Sequence, residues 1–537
     1  MRKGKQNSIL IWIFAILLAL ASALPYFAMN SGTPSGSVYM GSIGNGFDQA
    51  SYLAWIKQGA EGKLLFSDNY TTEPQSGAFF HPFFLVCGWF VRLTGLEIIQ
   101  AYHIIRSLLA ILFIMMLFKF SELFLQNFKE RFFFTALSAL SAGFSFMFSP
   151  KILEYLNSTF LITPYDLIVP EATAFMAILH KPLFLMALIL LLSSMFFLYR
   201  GFKNMKGKDI LLSILMLFLL GFVHPYDLAT VYITLVLYLI WTRADWMKWR
   251  LLAGIVVISC PSLIYEYLMS SYDPVFREWG KTLTISSTPW SYFLSFGFVF
   301  IAAAAYTAKR WGKYTKTEIF LLSWLIGHFI LAYFPVRFER RLILGFQIPL
   351  ALLATMWFYS AALPFLRKHL KISPRGAVAF AAVAIALTFP SNLRFIYEEV
   401  FWMKGNPANY CVLITDREAF SWMDKNIPAD SVVLSSFASG IYIPGLAGCK
   451  VYAGHYDQTV NSKQKKREAG YFYETATKTG FRKSLIELSR AEYVYCGGFE
   501  RAIGDAGLDS LSELEKIYEN SGAAVYKVRG KLTDLLR

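Results

Sequence analysis

GSIGNGFDQASYLAWIKQGAEGKLLFSDNYTTEPQSGAFFHPF, residues 41–83, is the longest polar stretch in the first two-thirds of the chain, and it directly follows the first long apolar run. After the flexible GSIGNG, Tyr52, Leu53, Trp55 and Ile56 recur at helical intervals from Asp48, with Gln49, Lys57, Gln58 and Glu61 on the other side. The spacing predicts a helix over 48–62. Asp48 stands at its mouth, where a carboxylate caps exposed amides or, if a substrate comes within reach, accepts a proton. A second short aromatic-rich helix is expected over 79–93, too short to span and carrying His81 and Arg92. Both helices are expected to lie with an apolar face in the membrane interface, fixing Asp48 just outside the lipid headgroups.

Outward from this stretch the chain is apolar. Of its 537 residues 56% are hydrophobic, 17% aromatic and only 16% charged, which excludes an ordinary soluble protein. Apolar runs of spanning length or nearly so lie at 8–28, 98–119, 131–149, 176–199, 209–223, 225–242, 250–268, 289–308, 317–335, 341–361 and 376–390. The first is read as a retained signal-anchor rather than a cleaved signal, because so many spans follow it. Eleven spans are thus expected, in a transmembrane domain of residues 1–390 whose first outer loop is 29–97.

Basic residues set the expected orientation. Arg2, Lys3 and Lys5, then KFSELFLQNFKER, YRGFKNMKGKD, TRADWMKWR, AKRWGKYTK and LRKHLKISPR, alternate with less basic loops, as the positive-inside rule requires. The N-terminus is then cytoplasmic and residues 391–537 extracytoplasmic, in the cell (plasma) membrane. The net charge of +15 is largely this topology signal, favours contact with anionic membrane lipids, and calls for no nucleic acid.

After Pro390 the apolar runs shorten and charge rises. REAFSWMDKNIP reads as helix, SVVLSS and AEYVYC as strands, and EKIYEN with AAVYKV as a hairpin, giving a small α/β domain over 391–537. Asn426-Ile427-Pro428 and Gly497-Gly498 mark turns in it. Five cysteines show no metal-ligand spacing; Cys411, Cys449 and Cys496 allow one disulfide if this region is exported. There is no internal repeat, P-loop or Gly-rich dinucleotide fingerprint.

With this topology the outward loops collect the chemically capable side chains. These are Asp48 and His81; Glu154, Asp166, Glu171, His180 and Lys181; His224 and Asp227 in GFVHPYD; Asp273 and Arg277; and Arg337, Glu339, Arg340 and Arg341 in PVRFERR. Ionisable groups at a membrane boundary are costly unless paired or hydrated, so their concentration on one side points to a shared polar site.

The chain resembles the GT-C superfamily of polytopic glycosyltransferases that use polyprenyl-phosphate-linked sugars, and within it relatives of the protein O-mannosyltransferases and the lipid A aminoarabinose transferases. The resemblance rests on the acidic residue after the first span (GFDQASYLAWIKQGAEG), the HPFF helix running into a span with Arg106, the many-span body and the exported tail with GIYIPGLAGCKVYAGHYDQT. It implies a helical GT-C-like membrane fold and a glycosyltransferase with a polyprenyl-phosphate-linked sugar donor and an unknown acceptor, whether glycan, lipid or protein. Many members carry two nearly adjacent acidic residues in the first loop. Here Asp48 stands alone, and Asp166 or Glu171 would supply a second carboxylate.

The chemistry of such a site requires a base for the acceptor hydroxyl and positive charge for the departing phosphate. Asp48 is the expected base. Arg337, Arg340 and Arg341 sit at an outer boundary where a lipid phosphate would lie, and the planar guanidinium matches phosphate oxygens; interfacial snorkelling is the plainer role for them. His81, His180, Lys181, His224 and Asp227 are candidates for sugar or acceptor hydroxyls. Direct transfer with one base inverts the anomeric centre. No obligatory metal or other cofactor is expected, although acidic loop residues would suit a divalent cation. The alternative is a transporter or flippase for a lipid-linked or polar substrate, in which the same charges form a relay; charge-poor span centres and a long first outer loop favour the enzyme.

Overall fold

A computed structural model describes residues 2–44, 46–504 and 506–530. The side chains of residues 2–6, and with them the basic groups of Arg2, Lys3 and Lys5, lie outside that description. The chain divides into two compact units. The first comprises residues 1–25, 105–266 and 283–399; the second comprises 26–104, 267–282 and the chain from Val400 onward.

The first unit is a helical, multi-pass membrane body. All eleven apolar runs fold as helices, but with unequal reach. Among the described residues five helices are long and apolar enough to cross a membrane, or up to seven if each of two bent pairs is one span. The bent pairs are Trp246–Ser259 with Pro261–Tyr272 and Pro374–Ala386 with Pro390–Gly405, broken by 42° and 44°. In each the second helix opens on a proline, which has no N–H to continue the hydrogen-bond ladder. The other four helices, Phe128–Leu140, Gly207–Val223, Tyr226–Trp241 and Lys316–Ala332, have 13, 17, 16 and 17 residues.

One irregularity explains a sequence candidate. Helix Trp290–Lys309 kinks at Gly297, whose φ is 47°. The Leu294 carbonyl accepts instead from the Phe144 N–H at 2.7 Å, and a Cβ on Gly143 would come within 2.1 Å of it, so only glycine fits. Asp166 holds this inserted loop. Its carboxylate accepts from the Gly143 N–H at 3.0 Å and from the Ser145 hydroxyl, and it is fully buried.

The second unit joins the first loop to an α/β domain. Strands β1 (Ser37–Tyr39) and β2 (Cys411–Leu413) pair antiparallel. Strands β3 (Val432–Leu434), β4 (Lys450–Val451), β5 (Tyr493–Cys496), β6 (Leu514–Glu519) and β7 (Ala524–Val528) form one sheet in the order β4-β3-β5-β7-β6. β3 runs parallel to β4 and β5, while β5, β7 and β6 are antiparallel. The expected strands, the REAFSWMDKN helix (within Ile414–Asn426) and the closing hairpin are all present. Glu500, fully buried, accepts from the Ser436 and Gly497 N–H groups, so an internal carboxylate ties the ends of β3 and β5. All five cysteines are free; the disulfide allowed among Cys411, Cys449 and Cys496 does not form.

The first predicted helix, observed as Gly46–Ala60, is not the interfacial helix expected. Residues 49–56 are all buried, polar Gln49 and Ser51 included. One side packs on helix Pro82–Thr94 with backbones in contact: a Cβ on Gly88 would lie 2.7 Å from the Gly59 Cα. The other side meets the α/β domain, where a Cβ on Gly445 would lie 2.9 Å from the Leu53 Cβ. A helix enclosed on both sides has no face left for lipid. Helix Pro82–Thr94 does expose an apolar stripe, Val86, Trp89 and Leu93.

The loop after Ala60 is stitched to the same domain. The Asn69 carbonyl accepts from the Val451 N–H at 2.9 Å, the Tyr70 hydroxyl donates to the Ile441 carbonyl at 3.0 Å, and the Thr459 hydroxyl donates to the Tyr70 carbonyl at 2.7 Å. Lys465 pairs with Glu73. The first loop thereby completes a wall of the C-terminal sheet.

Candidate active site

Asp48 lies in the first turn of helix Gly46–Ala60, two residues beyond its first residue, and is half-buried. It is therefore inside the helix rather than at the N-cap. A carboxylate in the first turn of a helix interacts favourably with the positive end of the helix dipole. Phe47, one residue earlier, packs against the core of the α/β domain. Its ring stands edge-on to His455, with centroids 5.6 Å apart at 87°, and 4.8 Å from Tyr456. The C-terminal domain thus packs around Phe47, and the charge of Asp48 bears on His455.

His455 is 3% exposed and tightly set. Its Nδ1 accepts from the Asp457 and Gln458 N–H groups, both at 3.1 Å, which places the proton of the neutral ring on Nε2. The Thr459 hydroxyl oxygen accepts from the Gly454 and His455 N–H groups, closing the turn. Burial holds the imidazole pKa below its ordinary value, against the opposing charges of Asp48 and Asp457. Neither His455 nor the nearby Asp68 stands out in the sequence. GHYDQT and SDNYTTE read as ordinary polar loops, and only the fold brings the first close to Asp48.

Asp68 is buried, and its carboxylate accepts from the Tyr70 N–H at 2.8 Å in an Asx turn. Burial pushes its pKa up to about 7, helped by the charges of Glu73 and Asp273 and opposed by the Tyr70 amide and Lys465. His81 directly precedes helix Pro82–Thr94 and stacks on Phe84 with centroids 4.3 Å apart.

The remaining candidates, apart from Asp273 and Arg277 in the second unit, belong to the first unit, where they form three groups. His224 Nδ1 lies 3.1 Å from an Asp227 carboxylate oxygen, and the charge of half-buried Glu171 bears on Asp227. Arg341 donates to the Tyr226 hydroxyl at 2.9 Å, so PVRFERR and GFVHPYD meet through Tyr226. His180 and Lys181 are buried beside Arg106, which donates to the Ser22 hydroxyl and the Ile178 carbonyl, both at 2.8 Å. Arg106 had no role assigned from sequence; a charge inside an apolar run was the available signal.

The third group is PVRFERR itself. A neighbouring strip clamps its backbone: the Thr284 N–H donates to the Arg337 carbonyl at 2.8 Å, and the Arg340 N–H donates to the Thr284 carbonyl at 2.9 Å. Glu339 accepts from the Ser286 N–H at 3.0 Å. Arg337 is exposed, and the buried Nε–H of Arg340 has no partner among the described residues. Asp166, committed to Gly143 and Ser145, is a loop anchor in this geometry. Among the described residues no three His, Cys, Asp or Glu side chains gather as a metal site.

Three solved structures share this arrangement of elements. The oligosaccharyltransferase of Archaeoglobus fulgidus tethered with an acceptor peptide is 13% identical, with a TM-score of 0.52 over 96% of this chain and 74% of that one. ArnT from Cupriavidus metallidurans bound to undecaprenyl phosphate is 14% identical, with a TM-score of 0.54 over 96% and 97%. The chain has the GT-C fold. AglB from Archaeoglobus fulgidus, in complex with an inhibitory peptide and a dolichol-phosphate, is 13% identical, with a TM-score of 0.50 over 96% and 74%. At these identities the likeness is one of fold. No protein-family profile and no curated protein sequence matches the chain.

Proposed function

We propose that this protein is a membrane glycosyltransferase that moves a sugar from a polyprenyl-phosphate-linked donor to an acceptor hydroxyl, with Asp48 as general base. The observation that carries the reading is a GT-C fold matching nearly all of a lipid-phosphate-bound ArnT, together with an acidic side chain in the first helical turn after the first span. The acceptor O–H proton passes to the Asp48 carboxylate as the oxygen attacks the anomeric carbon. The bond to phosphate breaks, and its electron pair leaves with the phosphate. One attack from the opposite face inverts the centre. Purified protein incubated with a panel of polyprenyl-phosphate sugars should transfer or hydrolyse one of them; inertness toward all would overturn the reading.

Arg337 and Arg340 are assigned to the donor phosphate. Their backbones are fixed by Thr284, while exposed Arg337 and the unpartnered Nε–H of Arg340 leave donor capacity for an anion. Arg341 is already engaged with Tyr226. Replacing Arg340 with Ala should weaken donor binding by about 1.5–3 kcal/mol, the usual worth of a hydrogen bond to a charged group. Unchanged donor affinity in both Arg337→Ala and Arg340→Ala would leave only interfacial anchoring for these side chains.

The basic-loop alternation orients the first loop and the α/β domain toward the outside of the cell membrane. Exposed Lys463, in helix Ser462–Tyr473, and exposed Lys206, in the YRGFKNMKGKD loop, test this. A membrane-impermeant thiol reagent should reach Lys463→Cys in whole cells and Lys206→Cys only after permeabilisation. The reverse pattern would invert the topology.

A further inference from the structure

We infer that one exposed face of the α/β domain, built on helix Ser462–Tyr473 and Tyr456, binds an acidic carbohydrate. On the glycosyltransferase reading above, on which this last step rests, that carbohydrate is the acceptor.

The helix sequence, SKQKKREAGYFY, puts Lys463, Lys465, Lys466 and Arg467 close together and has no acid in its first turn. Lys463, Lys466 and Arg467 stand at i, i+3 and i+4, so they share one face, and all three are exposed. Lys465 lies on the other side, buried and paired with Glu73. Glu468, the acid of this helix, accepts instead from the Gln464 amide and the Tyr452 hydroxyl. Three like charges are therefore left side by side with no carboxylate partner among the described residues. At this spacing like charges destabilise a helix, and an anion lying across the row relieves the repulsion.

The aromatic rings beside this row say what carries the negative charge. Tyr456 is 48% exposed, yet it is held from behind. Phe47 and Phe437 pack against its ring with centroids each 4.8 Å away, and its carbonyl accepts from the Ser462 hydroxyl at 2.7 Å. The Lys466 ammonium donates to the Tyr456 hydroxyl at 2.7 Å and lies 4.8 Å from the centre of that ring, joining the ring to the cationic row. Tyr471, also exposed and backed by Phe481 at 4.9 Å, follows Arg467 by one turn, about 12 Å along the axis from Lys463. Preset rings lose little freedom on contact and offer flat apolar faces, on which the C–H faces of sugars stack. Carboxylate or phosphate substituents on the same sugars meet the cations. A membrane surface would use the cations but gain nothing from two backed rings, whereas a carbohydrate also brings the hydroxyls that sugar transfer requires. Phe47 directly precedes Asp48, so this face adjoins the helix that carries the proposed base.

The test uses the full chain in phosphatidylcholine nanodiscs and two probes of equal length, an oligogalacturonate and its neutral galactose counterpart. The charged probe should bind at least about tenfold more tightly than the neutral one, and that advantage should shrink as salt rises from about 0.05 to 0.5 M. Lys463→Gln, Lys466→Gln and Arg467→Gln combined should lower its affinity about tenfold, and Tyr456→Ala about 3–10-fold, with melting temperatures close to wild type. Tyr456→Phe, which keeps the ring, should bind like wild type. Absence of binding, equal affinity for both probes, or full affinity in the triple variant would overturn the inference. Phosphatidylglycerol vesicles that displace the probe, with no loss in Tyr456→Ala, would give the face to lipid headgroups and overturn it as well. Binding is read without donor or turnover, which separates the two claims. Intact binding in a protein inert toward every donor removes the transfer reading alone, whereas transfer without oligogalacturonate binding removes only this site.

Discussion

Asp48→Asn should lower sugar transfer by about 10²–10⁴-fold, the usual contribution of a general base, while donor binding and expression stay near wild type. The amide keeps the size and shape of the carboxylate but cannot accept a proton at neutral pH. Asp48 sits in the first helical turn, where a carboxylate interacts favourably with the helix dipole. That is worth about 0.3–1 kcal/mol. If that were all Asp48 does, both Asn and Ala variants would turn over normally and lose only this small stability. Measuring kcat, donor affinity and melting temperature for both variants decides between the roles, and wild-type turnover in Asp48→Asn would remove it from the mechanism.

The second large effect is on stability and runs against the usual direction for a carboxylate. Asp68 has its pKa pushed up to about 7 in the folded protein, against an ordinary value of 3.8. Between those values the folded chain holds a proton that the unfolded chain releases. Its contribution is therefore fully present below about pH 4 and is lost as pH rises through about 7. At about 1.4 kcal/mol per unit of separation, the loss across the window is on the order of 4 kcal/mol. Asp68→Asn should remove this slope, because its side-chain oxygen still accepts from the Tyr70 N–H. Matching wild type below about pH 4, the variant should exceed it by about 2 kcal/mol near pH 5 and by about 4 kcal/mol near pH 8 in denaturant unfolding of the detergent-solubilised protein. His455, with its pKa lowered, contributes the opposite slope below pH 6.5, so the difference between the two proteins isolates Asp68. A difference that does not change between pH 5 and pH 8 would show that Asp68 titrates normally.

Much of this architecture is legible in the sequence. The apolar runs, in a chain whose overall mean hydropathy is +0.45, require a multi-pass helical body, because a helix is the local way to satisfy backbone groups in lipid. The tail's short alternating segments likewise read as strands and helices, since side-chain periodicity is a local property of the backbone. Helix boundaries were close: 48–62 is observed as Gly46–Ala60, and 79–93 as Pro82–Thr94. Asp48 was visible as the acidic residue opening the first of these helices.

Tertiary structure alone decided what encloses that helix. Periodicity marks an apolar face but not the surface that covers it, and a helix buried on both sides between Gly88 and Gly445 carries polar Gln49 and Ser51 inward without altering its sequence pattern. The neighbours of Asp48 are equally non-local. The turn holding His455 is tied to the first loop by the bond from Thr459 to Tyr70, 389 residues away in sequence. Asp166 looked like a second acid because it sits in an outward loop, yet the kink at Gly297 required an inserted backbone, and Asp166 was the group that held it. The chain's own chemistry determined which residues are apolar, charged or able to move a proton. Which of them meet depended on long-range packing, because a contact between distant segments leaves no periodic trace in either.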